Sequence, residues 1–298
     1  ISEPHHKATG FVLNKSIVTN AQYHVGNHYV YNIDLKDFFH SFNRNRVKLG
    51  FMQSPFSLKG AKEPLAFLLA CLCTHPFEVD GEHKIVLPQG APTSPTITNI
   101  LCIAMDRRLN GLAKRFKVNY SRYADDITFS SQTNIFKRKD FQEELLRIIQ
   151  DNQKLVLNEK KTRLQKSGYR QEVTGLIVNE KVNVSKRYLK ALRMWFYYWE
   201  KYGLEKAKLI FKKDYIQDKG HVKKGMPNFI NVLSGKLQYL KMVKGAQDAT
   251  YLKFNTRFER LLQNESKLEQ ILRVWENEGI EKAMELYELE NQVFDEQI

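Results

Sequence analysis

The stretch KVNYSRYADDITF, Lys117 to Phe129, sets two adjacent acids in the middle of an apolar alternation. Tyr120, Tyr123, Ile127 and Phe129 mark two short strands, and the break at Ala124-Asp125-Asp126 predicts a tight turn joining them. Asp suits turns for backbone reasons. Two ionised neighbours between apolar strands repel each other, however, and a divalent cation relieves that repulsion. A third acid, Asp34, lies near the end of another alternating run, HYVYNIDLKDFF (His28 to Phe39). If the two strands are neighbours, Asp34, Asp125 and Asp126 converge, and hard carboxylate oxygens of this kind suit Mg²⁺. Two such ions, about 4 Å apart, activate an attacking hydroxyl and stabilise a leaving pyrophosphate. Asp37 is expected instead to cap the helix that follows, through its side-chain oxygen.

Working outward, Glu63 to His75 reads as a buried helix, and Glu78 to Leu87 as a hairpin turning at Asp80-Gly81. LPQGAPTSP, Leu87 to Pro95, reads as a loop because of its three prolines. Thr96 to Lys114 reads as one amphipathic helix, and Asp140 to Asn152 as another. Gln171 to Val184 is expected to be a hairpin turning near Asn179-Glu180. From Ser185 onward the pattern is helical and poor in strands. The fold class is therefore α+β to about residue 185, followed by an α-helical domain.

Composition narrows the partners. Among 298 residues, 47 Lys and Arg face 33 Asp and Glu, a net charge of +14. Glu265 to Ile298 holds ten acids and three bases, so the first 264 residues carry about +21. A body this basic points to a polyanion such as nucleic acid. Ser185 to Lys244 alone holds 15 bases and 4 acids around Trp195-Phe196-Tyr197-Tyr198-Trp199. In that run Leu189, Leu192, Phe196 and Trp199 share one helical face and are expected in the core. Eighteen Phe, 14 Tyr and 3 Trp exclude wholesale disorder, and no apolar run is long enough to span a bilayer. Three cysteines (Cys71, Cys73, Cys102) fit a reducing cytoplasm better than a disulfide framework.

Three boxes carry a resemblance. Tyr123-Ala124-Asp125-Asp126 resembles the YxDD box of reverse transcriptases, Asn32 to Phe39 resembles their first palm motif, and Leu87 to Pro95 resembles their LPQGxxxSP box. Asn20-Ala21-Gln22-Tyr23-His24 and Val173-Thr174-Gly175 resemble the NAxxH and VTG signatures of the bacterial retron branch. The resemblance runs from about Thr9 to Phe258. It implies a right-hand polymerase, with residues 1–27 as a fingers remnant, 28–184 as a palm with an antiparallel sheet, and 185–298 as a helical thumb. Because the chain opens at Ile1, almost at the GF box, an upstream fingers segment is expected to be missing.

By this resemblance Asp34 and Asp125 hold two Mg²⁺ ions and Asp126 supports them. Phe39 is the steric gate under the sugar, and Gln89 and Gly90 line the dNTP pocket. Lys160 or Lys161 neutralises the leaving pyrophosphate, with the choice left open. Asn20, His24, Val173, Thr174 and Gly175, with Arg170 nearby, are candidates for reading RNA, while Lys186, Arg187, Lys190 and Arg193 are placed to contact phosphates. The implied activity is RNA-directed DNA synthesis on a cognate structured non-coding RNA, primed by a 2′-hydroxyl and yielding branched RNA–DNA. The implied partners are that RNA and its cDNA, dNTPs and an anti-phage effector protein, with no membrane. The alternatives are another bacterial defence or group II intron-like reverse transcriptase, and a non-catalytic RNA-binding scaffold.

Overall fold

A computed structural model describes residues 4–79, 81–219, 225 and 227–295. The chain divides into two compact units between Val184 and Ser185.

In the first unit, α1 (Ile17–Gln22) is followed by β1 (Tyr29–Lys36), α2 (Arg44–Met52) and α3 (Glu63–Cys73). A hairpin of β2 (His75–Val79) and β3 (Glu82–Val86) comes next; Asp80, expected at its turn, lies outside the described residues. Helices α4 (Thr93–Leu101) and α5 (Ile103–Phe116) lead into β4 (Asn119–Tyr123) and β5 (Asp126–Ser131). The unit is completed by α6 (Lys139–Leu146), β6 (Val156–Leu157), β7 (Arg163–Lys166), β8 (Glu172–Val173) and β9 (Leu176–Ile177). The main sheet runs β4-β5-β1-β6, with β7 also paired to β1, and all its pairings are antiparallel. Ile33, Ile127 and Phe129 are fully buried, and α5 and α6 supply Met105, Leu109 and Phe141 to the same core. Phe141 meets Phe116, Phe129 and Phe136 edge-on at 5.3–5.5 Å, the geometry that aromatic quadrupoles favour.

Four expectations need correction. Helix α3, expected to be buried, buries Ala66 and Ala70 but exposes Leu65, Phe67, Leu68 and Leu72. Helix α4 begins at Thr93, inside the stretch read as a loop, because Pro95 sits in its first turn, where no backbone N–H is needed. The single helix expected over 96–114 is two, parted at Cys102. Asp37 does not cap with its side chain: its backbone, at φ 46°, offers the carbonyl to the Ser41 amide at 2.9 Å. The 171–184 segment reverses near Asn179-Glu180 as expected, where Ile177 pairs with Asn183, and also at an unforeseen turn, Thr174-Gly175, with Val173 paired to Leu176. Both turn residues have positive φ, 47° and 81°, as a two-residue hairpin matched to strand twist requires.

The second unit is helical: α7 (Lys186–Lys219), α8 (Phe229–Lys244), α9 (Ala249–Glu278) and α10 (Ile280–Asp295). Helix α7 breaks at Gly203, whose φ of 79° and ψ of 171° no helix admits. Leu192, Phe196 and Trp199 are buried, as is Trp195. The indole N–H groups of Trp195 and Trp199 donate to Asp214 and Glu265 at 2.8 and 2.9 Å, so neither ring strands a polar atom. The acidic C-terminal residues form a packed helix pair, α9 and α10. No helix among the described residues is long and apolar enough to cross a membrane.

Candidate active site

The register of β1 on β5 sets Asp34 opposite Asp126, with Ile33 opposite Ile127 locking the pairing from the core side. Strands β4 and β5 are joined through Ala124 and Asp125, since Tyr123 pairs with Asp126. Ala124 sits at φ 56°, a conformation that an L-residue holds only when its surroundings impose it. The surroundings are specific. The Arg122 guanidinium, fully buried, donates to the Ala124 carbonyl at 2.9 Å and to both Asp106 carboxylate oxygens at 2.7 Å. Tyr120 donates its hydroxyl to Asp106 at 2.6 Å, and Asn99 accepts from Arg122 at 3.2 Å. Asn99 in turn donates to the Gly10 carbonyl at 2.9 Å. Gly10 lies so close to the turn that a Cβ there would stand 2.6 Å from the Ala124 nitrogen, so only glycine fits. The chain just before Gly10 runs beside β4, with the Thr9 amide donating to Arg122 O and the Arg122 amide donating to Lys7 O.

The three carboxylates sit in unequal surroundings. Burial pushes Asp126 up to about 6, and the charges of Asp125 and Asp34 add to the effect. Asp125 is raised as well, by burial and by Asp34. Asp34 accepts from the Asn158 side-chain amide at 3.0 Å and lies 3.5 Å from the Lys161 ammonium. The Asn158 amide N–H also donates to the Asp34 carbonyl at 2.8 Å, which ties the segment after β6 to the acid. Among the described residues, no group of three His, Cys, Asp or Glu side chains, Asp34, Asp125 and Asp126 included, is arranged to hold a metal ion.

Asp34 stands between two clefts. One, of about 240 Å³, is lined by Asp34, Asp125, Phe39, Gln89, Asn158 and Lys161, a polarity that suits a small charged group. Phe39 is half-buried at its wall, and Phe38, edge-on to it at 5.4 Å, belongs to the core. Gly90 is exposed at φ 95° and does not line this cleft. The other cleft is lined by Asp34, Asp126, Lys160, Lys161 and Arg163. Lys161 therefore borders both clefts and touches an acid, whereas Lys160 borders only the second.

The remaining candidates fall in different places. Asn20 and His24, expected to read RNA, are fully buried and corrected here to internal roles. The ring nitrogens of His24 bond Ser130 Oγ at 2.8 Å and Ser121 Oγ at 2.7 Å, and burial lowers its pKa to about 3, so the ring is neutral. Asn20 accepts from Thr9 Oγ1 at 2.7 Å. Together these two residues fasten α1 and the N-terminal segment to the back of β4 and β5. Val173 is buried too; Thr174 and Gly175 form the turn of the β8–β9 hairpin, where Gly175 is exposed, and Arg170 beside it is exposed and 3.5 Å from Glu172. Lys186, Arg187, Lys190 and Arg193 are all exposed on α7. Sequence reasoning missed Arg122, Asp106, Asn158 and Gly10. The available signal was a pair of opposite charges at core positions: Arg122 inside an apolar strand, and Asp106 among Met105 and Leu109.

The family described as reverse transcriptase (RNA-dependent DNA polymerase) matches residues 2–178. Retron Mx162 reverse transcriptase of Myxococcus xanthus is 41% identical over 193 residues, covering 59% of this chain and 39% of the relative. Retron Ec86 reverse transcriptase of Escherichia coli is 36% identical over 187 residues, covering 62% and 53%. Retron Mx65 reverse transcriptase of Myxococcus xanthus is 39% identical over 197 residues, covering 63% and 44%. The chain thus spans about two-fifths to one-half of the length of these relatives. A chain whose sequence matches that family over more than half its length belongs to the reverse transcriptases, with retron-type enzymes as its relatives.

Proposed function

We propose that this chain is the polymerase of a retron, an RNA-directed DNA polymerase that extends a primer hydroxyl with dNTPs on a cognate structured non-coding RNA. The observation that carries the reading is the Asp34–Asp126 register, with Asp125 in the adjoining turn. The donors fit hard divalent cations: they are all carboxylates, and the burial and mutual repulsion that raise Asp125 and Asp126 are what a cation would offset. Asp34, Asp125 and Asp126 would hold two Mg²⁺ ions, which supply activation of the attacking hydroxyl and neutralisation of the leaving pyrophosphate.

The protein's own groups orient the nucleotide. Phe39, at the cleft wall, takes the underside of the sugar and excludes a 2′-hydroxyl. Gln89 offers its amide to the incoming nucleotide. Lys161, next to Asp34, is placed to neutralise charge on the triphosphate. Residues 1–184 act as palm with a fingers remnant, and 185–298 as thumb, where Lys186, Arg187, Lys190 and Arg193 hold backbone phosphates. The Thr174-Gly175 turn is the remaining candidate for reading the RNA. The product would be branched RNA–DNA (msDNA), made in the bacterial cytoplasm for anti-phage defence with an effector protein.

Primer extension with Mg²⁺ and dNTPs tests the chemistry. Asp34→Asn and Asp125→Asn should each lower the rate by about a thousandfold or more while the thermal midpoint holds. DNA synthesis by the double variant at the wild-type rate would refute the assignment. Sequencing the nucleic acid that co-purifies, after separate RNase and DNase treatment, tests the retron reading: a covalent RNA–DNA hybrid is expected.

A further inference from the structure

The segment of α7 before its break presents one row of side chains to solvent. At 3.6 residues per turn, Lys186, Arg187, Lys190, Arg193, Tyr197 and Lys201 fall on one side of the helix. All six are exposed, while Leu192, Phe196 and Trp199 on the opposite side fill the core. The row extends for roughly 22 Å at 1.5 Å per residue. The acid on this segment, Glu200, is engaged by Arg257 at 2.6 Å and Arg260 at 2.9 Å, so it does not neutralise the row.

The row ends in an aromatic group. Tyr197 is 47% and Tyr202 51% exposed, and Tyr198 beside them is half-buried. Lys201 donates to the Tyr197 hydroxyl at 3.1 Å, and its ammonium stands 5.5 and 5.3 Å from the centres of the Tyr197 and Tyr202 rings. The Tyr197 and Tyr202 rings are nearly perpendicular, at 80° and 6.2 Å between centres. The core of this unit is filled by Trp195, Phe196 and Trp199, so the exposed tyrosines are not needed for packing. Half-exposed tyrosine rings beside a lysine, at the end of a line of cations, are the chemistry that binds single-stranded nucleic acid: cations track the phosphates and rings stack the bases.

We propose that Tyr197, Lys201 and Tyr202 form a stacking site for an unpaired nucleobase, fed by the basic row from Lys186 to Arg193. The proposal rests on the reading of this unit as a nucleic-acid-binding one. It adds a preference for unpaired over paired ends, which phosphate contacts alone do not supply.

Equilibrium binding to the full chain, without divalent metal or dNTPs, tests it. One probe is a blunt RNA–DNA hybrid; the other is the same hybrid with three unpaired 2-aminopurine nucleotides. The wild type should bind the second about tenfold more tightly, the fold-change of one modest base–aromatic stack, and should quench its fluorescence. Tyr197→Ala with Tyr202→Ala should abolish the preference and the quenching but keep the blunt-hybrid affinity. Tyr197→Phe with Tyr202→Phe should retain both, since stacking needs the ring and not the hydroxyl. Preference and quenching that survive in the alanine pair would overturn the site, as would an equal loss of affinity for both probes. If the wild type binds neither probe, the basic row falls as well. Primer extension by the same preparation then reports separately on the polymerase reading.

Discussion

Asp126 is held where its ionised form is costly. Burial, with Asp125 and Asp34 beside it, lifts its pKa from 3.8 to about 6. A carboxyl raised in the folded state lends stability while protonated and loses it as pH rises through the folded value. In metal-free buffer the loss between pH 4 and 8 should reach up to about 3 kcal/mol, with Asp125 shifting in the same direction. Asp126→Asn should therefore gain on the wild type in thermal melts over that range, and millimolar Mg²⁺ should narrow the gap by stabilising the wild type. A stability difference that does not change with pH would show that the carboxyl is not strained. Arg122 presents the opposite case, a buried charge with every partner in place. Arg122→Met should cost about 3–5 kcal/mol in urea unfolding, because it strands Asp106 in the core. Adding Asp106→Leu should recover most of that stability yet leave primer extension at least about tenfold down, since nothing then holds the Ala124 carbonyl. Full recovery of extension would mean that Arg122 serves only packing.

Among the elements, hairpins and helix ends show where local chemistry is readable. The β4–β5 hairpin is legible because its apolar alternation and polar turn agree. In the 171–184 segment the reversal near Asn179-Glu180 is legible, whereas the β8–β9 turn is not. Thr174 is β-branched and a poor choice for positive φ, so side-chain propensity gives no turn there. Thr174→Asn, which tolerates the left-handed region better, should stabilise the fold by about 0.5–1 kcal/mol. An unchanged or lower thermal midpoint would show that the Thr174 hydroxyl, 3.4 Å from the Ile17 carbonyl, matters more than the backbone. If the turn also reads RNA, the same variant should lose affinity for the cognate RNA while gaining stability. The start of α4 was hidden for a related reason: a proline in the first helical turn looks, by residue type alone, like a proline in a loop.

Across the whole chain, charge is divided. The first 264 residues are strongly basic and the acidic residues gather in the last helix pair. The five exposed bases of α7 from Lys186 to Lys201 should alone give a slope of about −4 in log K against log salt. RNA binding should fall by about 300-fold or more between 50 and 200 mM salt. Lys190→Ala with Arg193→Ala should make the slope shallower by about two, equally for matched and unrelated RNAs. A slope unaffected by these changes would remove α7 from the interface.

The amino-acid order by itself determined what is set within a few residues or by summed composition. The paired acids in a turn, the third acid on its strand, the α+β-then-α order and the basic body are of this kind. Tertiary structure alone decided which side chains are inside and whom they touch. It buried Asn20 against Thr9 and His24 against Ser121, 97 positions away, set Lys161 rather than Lys160 beside Asp34, and placed Arg122 under the Ala124-Asp125 turn. The physical reason is range. Turn chemistry and strand alternation act between covalent neighbours, whereas burial and partner choice are settled only when distant segments close around the same point.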